Sequence, residues 1–189
     1  MCGIFTLLNN SDTFTSEEIE AAFEYGNNRG PEDSEFITYG NNLNIGFKRL
    51  AINGLNMESR QPMTIDNITL ICNGEIYNFK ELFRIMQVEQ ITQSDCEIII
   101  HLYKRYGIKQ TLMLLDGYFS FILYDNSTLK KEPTIIVARD PFGVRPLYIL
   151  EYNIDNHIAE DNDNLSIISE KIIGFASELK MLNPLLNTN

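Results

Sequence analysis

The chain has 189 residues, 44% of them hydrophobic, and a formal net charge of -11. This length and apolar content predict one globular domain with a substantial core, and the acidic balance without clustered basic residues argues against nucleic acid as a partner. No apolar run approaches the roughly 20 residues that cross a bilayer, and no basic segment precedes an apolar one at the N-terminus, so we expect a cytoplasmic protein without a membrane partner.

Hydrophobic periodicity and turn residues predict strands and helices that alternate along the chain. In chain order, the predicted elements are a strand at 4–8, a helix at 16–25, strands at 35–39, 43–50 and 68–72, helices at 79–86 and 95–106, and strands at 119–124, 134–138, 147–150 and 172–176. We expect the last four strands to form a second sheet. The pattern therefore predicts an α+β or layered α/β domain.

Individual residues set several boundaries. Ser94 and Glu97 stand three residues apart at the start of the third predicted helix, which is the spacing of a capping box. Gly107 is expected to end that helix. The predicted organisation is an exposed loop at 152–169, one domain at 1–182 and a tail at 183–189.

The three cysteines, Cys2, Cys72 and Cys96, are odd in number and lack C-x-x-C spacing. Neither a disulfide framework nor a zinc site is predicted from them, and we expect Cys72 and Cys96 to be small buried residues. His101 lies in an apolar helical stretch and is expected to be structural, which disfavours a Cys-His protease. Because the acidic residues are scattered, we expect no metal and no cofactor.

The N-terminus offers a nucleophile, because removal of Met1 makes Cys2 the first residue, with a thiol and a free α-amine. A thiol of pKa about 8.5 then stands beside an amine of pKa about 7.7 to 8.0, which can take its proton close to neutral pH. This is the cysteine version of a nucleophile activated by an N-terminal amine. Taken alone, the same residues also fit a frayed terminus without function.

A second candidate is the Asn73-Gly74 turn, which follows an apolar strand. Such a turn can present an amide side chain and a backbone N–H as two fixed donors for an oxyanion, the charge that develops when a thiolate attacks an acyl carbon. Most Asn-Gly pairs are ordinary hairpin turns, so this alternative stays open on the residues alone.

Eight segments in order carry a resemblance to a known family: 1–4 (Met-Cys-Gly-Ile), 29–31 (Arg-Gly-Pro), 49–52 (Arg-Leu-Ala-Ile), 73–78 (Asn-Gly-Glu-Ile-Tyr-Asn), 94–97 (Ser-Asp-Cys-Glu), 115–121 (Leu-Asp-Gly-Tyr-Phe-Ser-Phe), 139–148 (Arg-Asp-Pro-Phe-Gly-Val-Arg-Pro-Leu-Tyr) and 176–180 (Ala-Ser-Glu-Leu-Lys). Together they resemble the class II glutamine amidotransferase domain over nearly the whole chain. Within that class, segment 73–78 looks like the N-terminal glutaminase half of asparagine synthetase.

The resemblance implies an N-terminal nucleophile hydrolase fold, in which two antiparallel sheets pack face to face with helices outside, in four αββα layers. It also implies that Cys2 attacks the side-chain amide of L-glutamine and that its α-amine relays a proton to the departing ammonia. Asn73 and Gly74 would hold the oxyanion. A γ-glutamyl thioester on Cys2 would then be hydrolysed to glutamate.

The same resemblance implies how the rest of the substrate is held. Arg49 matches the residue that pairs with the α-carboxylate of glutamine, and Asp95 matches the partner of the α-amino group. Glu75 and the segment with Leu50 and Ile52 match further glutamine contacts.

Two other segments resemble parts of the family that surround the site. Segment 29–31 resembles a mobile loop near it, although Asn28 and Glu32 stand where the family commonly has His and Asp. In segment 139–148, we expect Asp140 and Arg145 to hold a turn near the site rather than to touch substrate.

An asparagine synthetase continues into an ATP-pyrophosphatase domain with a Ser-Gly-Gly-x-Asp-Ser loop, and neither this loop nor a Walker-type loop occurs in the sequence. We therefore expect that this chain alone does not bind ATP or make asparagine. The expected function is a glutaminase that releases glutamate and ammonia, either freestanding or as the partner subunit of a separate synthetase chain. The alternative is a catalytically weak glutamine-binding or regulatory module.

Overall fold

The computed structural model describes residues 1–40, 42–51, 56–127, 132–153, 157–161, 164–168 and 171–186. The strands are β1 (Gly3–Leu8), β2 (Asp33–Tyr39), β3 (Leu43–Arg49), β4 (Met63–Ile65), β5 (Ile68–Ile76), β6 (Gly117–Asp125), β7 (Thr134–Arg139), β8 (Tyr148–Asn153), β9 (His157–Asp161), β10 (Asn164–Ile168) and β11 (Lys171–Ala176). The helices are α1 (Ser16–Glu24), α2 (Phe79–Met86) and α3 (Glu97–Leu114). The predicted helices and strands therefore exist, with shifted ends.

Most strands belong to two antiparallel sheets. The first has the order β2-β3-β1-β11-β8 and the second the order β4-β5-β6-β7. The prediction that 147–150 and 172–176 belong to the second sheet is wrong, because β8 and β11 join the sheet of β1, with Phe5 opposite Ala176. Apolar alternation shows that a strand is half-buried but does not specify its partner, which here is far away in sequence.

The two sheets and their helices form four layers. In β1, Phe5 and Leu7 face α1, whereas Ile4 packs between the sheets with Ile71 and Ile122, as a side-chain period of two requires. The helices α2 and α3 cover the outer face of the second sheet. The structure is thus the αββα sandwich that the family resemblance implied.

Local polar contacts explain how some helices begin. The Thr15 hydroxyl accepts from the Glu18 N–H, and the Glu18 carboxylate accepts from the Thr15 N–H, so α1 has a capping box. The capping box expected at Ser94 is not formed. Glu97 is fully buried, and its carboxylate instead accepts from the N–H groups of Ile91 and Thr92.

Other expectations along the chain are confirmed at one point and corrected at others. Gly107 has non-helical backbone angles, φ 74° and ψ 171°, so the helical stretch that begins at Glu97 is interrupted there as expected, and a second helical stretch follows and continues to Leu114. The stretch expected to be an exposed loop contains the hairpin of β9 and β10, which the local Asn-, Asp- and Glu-rich composition concealed. At the predicted tail, Asn183–Leu186 forms a 3-10 turn with Leu185 buried in the core beside α1. The boundary at 182 remains a prediction.

Within the parts of the chain described above, no helix is both long and apolar enough to cross a membrane.

Candidate active site

Cys2 lies directly before β1 and packs against the core between the two sheets. Its Sγ donates to the carbonyl oxygen of Leu50 over 3.4 Å. The strand behind it is fixed by Ser177, which accepts the Ile4 N–H on its hydroxyl at 3.0 Å and donates its own N–H to the Ile4 carbonyl at 2.9 Å. The segment directly after β11 therefore meets the start of β1 next to the thiol.

Two side chains hold the carbonyl oxygen of Cys2. Arg29 donates from Nε over 3.1 Å, and Asn73, in the amide orientation that satisfies both groups, donates from Nδ2 over 3.2 Å. In that orientation the Asn73 Oδ1 also accepts from the Arg29 Nη2 at 3.2 Å. Gly3 leaves room for this arrangement, because a Cβ there would lie 3.1 Å from the Arg29 Cβ. The three groups form one closed polar cluster.

Along the edge of β5 that faces the site, the backbone N–H group of every second residue points towards the site, because alternate residues of a strand have the same orientation. The Cys72 N–H is bound by the Gln61 Oε1 at 2.6 Å, and the Ile76 N–H is bound by the Asp95 Oδ2 at 2.6 Å. Gly74 lies between them and shares their direction, so its N–H points into the pocket that it lines. A Cβ at Gly74 would lie only 2.6 Å from the Tyr118 carbonyl oxygen, which explains glycine here.

Charged groups of both signs surround the same pocket. Arg49 and Arg145 supply two guanidinium groups to its wall, and Glu75 and Asp95 supply two carboxyl groups. Arg49 ends β3 and is 9% exposed, and Asp95 is 5% exposed, so both charged side chains are largely buried in the pocket wall. The cavity beside Cys2 has a volume of 70 Å³.

The structure thus brings together Cys2, Asn73, Gly74 and the predicted substrate contacts that it describes, which are Arg49, Leu50, Glu75 and Asp95. The eighth predicted residue, Ile52, lies outside the described residues. The two other thiols, Cys72 and Cys96, also line the pocket, although both are buried as expected.

Sequence reasoning missed three residues of the site. Arg29 belongs to the segment that resembles a mobile loop, and no role was expected for its side chain. In the structure Arg29 donates to Cys2 and Asn73, and a Cβ at Gly30 would lie 2.4 Å from the β3 backbone. Gln61 gave no signal, because its contacts with Cys72 depend on tertiary pairing.

The third missed residue is Arg145. Asp140 holds a turn as expected, accepting the N–H groups of Phe142, Val144 and Arg145. The Arg145 side chain, however, reaches the pocket wall and donates from Nη1 to the Met1 Sδ at 2.6 Å. The available sequence signal for this position was that segment 139–148 contains two arginines, Arg139 and Arg145.

The thiol is not activated while Met1 is attached. Burial raises the pKa of Cys2, and the nearby positive charges of the N-terminus and Arg49 offset this only in part. The nitrogen of Cys2 is then an amide, which is not a base.

A model of the glutamine amidotransferase domain matches residues 1–189. The chain belongs to the glutamine amidotransferase family. This amidotransferase domain is also similar to proteins named asparagine synthetase (glutamine-hydrolyzing). It is 40% identical to the one from Gallus gallus and 37% identical to the one from Homo sapiens, each over 153 residues, 78% of this chain and 26% of the relative.

A probable asparagine synthetase (glutamine-hydrolyzing) from Acanthamoeba polyphaga mimivirus is 37% identical over 164 residues, 85% of this chain and 26% of that protein. The amidotransferase domain thus spans about a quarter of the length of these relatives. Among its described residues, no group of three or more His, Cys, Asp or Glu side chains could hold a metal ion.

Proposed function

We propose that this amidotransferase domain hydrolyses L-glutamine to glutamate and ammonia, with Cys2 as the nucleophile after removal of Met1. The observation that carries the proposal is the meeting of the Cys2 thiol, the inward-facing Gly74 N–H and charged groups of both signs in one pocket. This combination suits a zwitterionic amino acid with an acyl group on its side chain.

The proposed reaction has two halves. The Cys2 sulfur attacks the side-chain amide carbon of glutamine while the free α-amine takes the thiol proton. The tetrahedral intermediate then collapses, its C–N bond breaks, and the amine returns the proton to the departing ammonia, which leaves a thioester. Water then adds to the thioester carbon, and the C–S bond breaks to release glutamate and regenerate the Cys2 thiol.

The pocket offers complementary partners for each part of the substrate. The planar guanidinium of Arg49 suits the two oxygens of an α-carboxylate, and Asp95 with Glu75 suits the α-ammonium group. We propose that the backbone beside Leu50 and Ile52 completes this part of the site.

Two donors are proposed for the oxyanion. The Gly74 N–H points into the pocket, and Asn73 Nδ2 carries two hydrogens, of which the Cys2 carbonyl uses one. The second hydrogen can serve the negative oxygen that forms during attack. Such donors act most strongly where charge develops in the transition state.

The relatives are named for asparagine synthesis and glutamine hydrolysis. We infer by this likeness that the ammonia serves a synthetase reaction at a site outside residues 1–189, in the same chain or in a partner chain. We also propose a cytoplasmic location, because Cys2, Cys72 and Cys96 are free thiols, as is usual in a reducing compartment.

The test is glutamate and ammonia release from L-glutamine by purified protein whose N-terminal residue is Cys2. The electrophilic analogue 6-diazo-5-oxo-norleucine should modify Cys2 and spare Cys72 and Cys96, and glutamine should block the labelling. Cys2→Ala should lose both activity and labelling, whereas Cys72→Ala is the matched control that retains labelling at Cys2. Equal labelling of Cys2 and Cys72, or turnover by Cys2→Ala, would disprove the proposal.

A further inference from the structure

The pairing of β4 with β5 stops just before the candidate site. Its register places Met63 opposite Leu70 and Ile65 opposite Ile68, so a continued ladder would place Gln61 opposite Cys72. The strand β4 begins at Met63, however, and the backbone of Gln61 does not continue it. Instead, the Gln61 side chain takes over the pairing. Its Oε1 accepts from the Cys72 N–H at 2.6 Å, and its Nε2 donates to the Cys72 carbonyl at 3.3 Å.

This substitution of a side chain for a strand has a consequence two residues further along β5. A backbone ladder in the same register would bring position 59 opposite Gly74 and would consume the Gly74 N–H. The side-chain amide of Gln61 binds the backbone N–H and carbonyl of Cys72 and does not extend to Gly74. The edge of β5 therefore stays ordered at Cys72 and open at Gly74.

We propose that Gln61 is a positioning residue that fixes the direction of the Gly74 N–H through its two hydrogen bonds to Cys72. The inference rests on the proposed function, in which Gly74 is an oxyanion donor. Gln61 is 9% exposed, and its amide oxygen and amide nitrogen each bind Cys72, so the role we assign to it is to hold the strand. The Asp95 Oδ2 holds the Ile76 N–H on the far side of Gly74 in the same way.

The main variant is Gln61→Met, which keeps the side-chain length and removes both hydrogen bonds. Misplacement of a catalytic donor by about 1 Å costs on the order of 10²-fold in rate, so we expect kcat to fall by about that factor. The KM for glutamine should change less than about threefold, because binding of the α-carboxylate and α-ammonium groups is unaffected. Gln61→Glu keeps the acceptor for the Cys72 N–H and should lie between wild type and Gln61→Met.

A second measurement does not depend on turnover. NMR relaxation should give the Gly74 N–H a rigid order parameter near 0.85 in the wild-type protein and a value falling towards 0.6 in Gln61→Met. Amide exchange at Cys72 should become faster in the same variant. Gln93→Met makes the same chemical change at an exposed side chain near the site and should leave kcat, the Gly74 order parameter and Cys72 exchange unchanged.

The outcomes separate this inference from the proposed function. An inactive wild-type protein in which Gln61→Met still loosens Gly74 would remove the glutaminase proposal and keep the positioning role. An active enzyme in which Gln61→Met retains wild-type kcat would overturn the inference, as would an unchanged Gly74 order parameter or a KM that rises as much as kcat falls. If Gln61→Met does not fold, the same criteria apply to Gln61→Glu.

Discussion

Arg29 donates from Nε to the carbonyl oxygen of Cys2 over 3.1 Å, so a residue of the segment before β2 holds the peptide unit of the nucleophile. The same guanidinium lies 3.6 Å from the carboxylate of Glu178, just after β11. Arg29 therefore connects the start of β1 with the end of β11. The backbone of Cys2 is therefore held by contacts from a distant segment as well as by its connection to β1.

Replacing Arg29 with lysine is expected to lower kcat by about tenfold or more with a smaller effect on KM. A lysine amine cannot bind the Cys2 carbonyl and the Asn73 Oδ1 with the planar geometry of a guanidinium. Arg84→Lys, on the exposed side of α2, is the matched control. Steady-state kinetics decide the matter, and a KM effect without a kcat effect would assign Arg29 to substrate binding instead.

Asn73→Ala is expected to lower kcat by about 10² to 10³, the usual loss for one oxyanion donor. It also removes a hydrogen bond to the Cys2 carbonyl, so the mobility of Cys2 should be compared by NMR in the same variant. Unchanged kcat with weaker glutamine binding would show that Asn73 contacts the ground state only.

Arg49→Ala is expected to raise KM for glutamine far more than it lowers kcat. The charge-assisted bonds to the α-carboxylate exist in both the ground state and the transition state, so their loss weakens binding uniformly. The control is a glutamine analogue with an amidated α-carboxyl group, for which wild type and Arg49→Ala should have similar KM values. A large difference between the two KM values would point to a different partner for Arg49.

Protein that keeps Met1 is expected to be inactive. The Cys2 nitrogen is then an amide, burial raises the pKa of the thiol, and the Met1 side chain stands in the pocket wall against Arg145. Intact-mass measurement of active preparations should show the loss of one methionine. Activity proportional to the Met1-containing fraction would rule out the α-amine as the base.

Glu97→Gln is expected to lower the free energy of unfolding at pH 7 by about 1 to 3 kcal/mol. Burial alone would raise the pKa of Glu97, but hydrogen bonds from His101 and from the N–H groups of Ile91 and Thr92 lower it. The stabilisation is therefore present above the unfolded pKa of about 4.3 and is lost as pH falls through the lower folded value.

Urea unfolding at pH 7 and at successively lower pH values measures this effect. The wild-type protein should lose stability on acidification more steeply than Glu97→Gln, which lacks the titrating carboxyl group. Glu89→Gln changes an exposed residue before the loop of Ile91 and Thr92, and this variant should lose stability with falling pH as steeply as the wild-type protein. Parallel curves for wild type and Glu97→Gln would contradict the lowered pKa.

The sequence predicted the layers of the fold better than it predicted which strands and side chains pair with one another. Apolar alternation located β1 and β11, but their pairing joins Phe5 to Ala176, which no local pattern records. Ser94 and Glu97 had the spacing of a capping box, yet the Glu97 carboxylate binds backbone groups of the preceding loop. Local propensity competes with tertiary contacts. The buried Glu97 carboxylate binds polar groups that become buried together with it.

The candidate site divides in the same way. Asn73 and Gly74 are adjacent in sequence and were recognisable as a turn that offers donors. Arg29 binds Asn73 from 44 residues away, and Gln61 binds Cys72 from 11 residues away, through a guanidinium and an amide that carry no local signature. Short motifs therefore identified the groups proposed to react, and long-range hydrogen bonds identified the groups that hold them.

The position of β1 in the middle of its sheet also governs the order of events during synthesis. One of its neighbours, β11, ends at Ala176, so the sheet around the N-terminus is incomplete at least until that strand has been synthesised. At roughly 5 to 20 residues per second, this takes about 9 to 35 s. We therefore expect the initiator methionine to be removed in that interval, before the sheet around the N-terminus is complete.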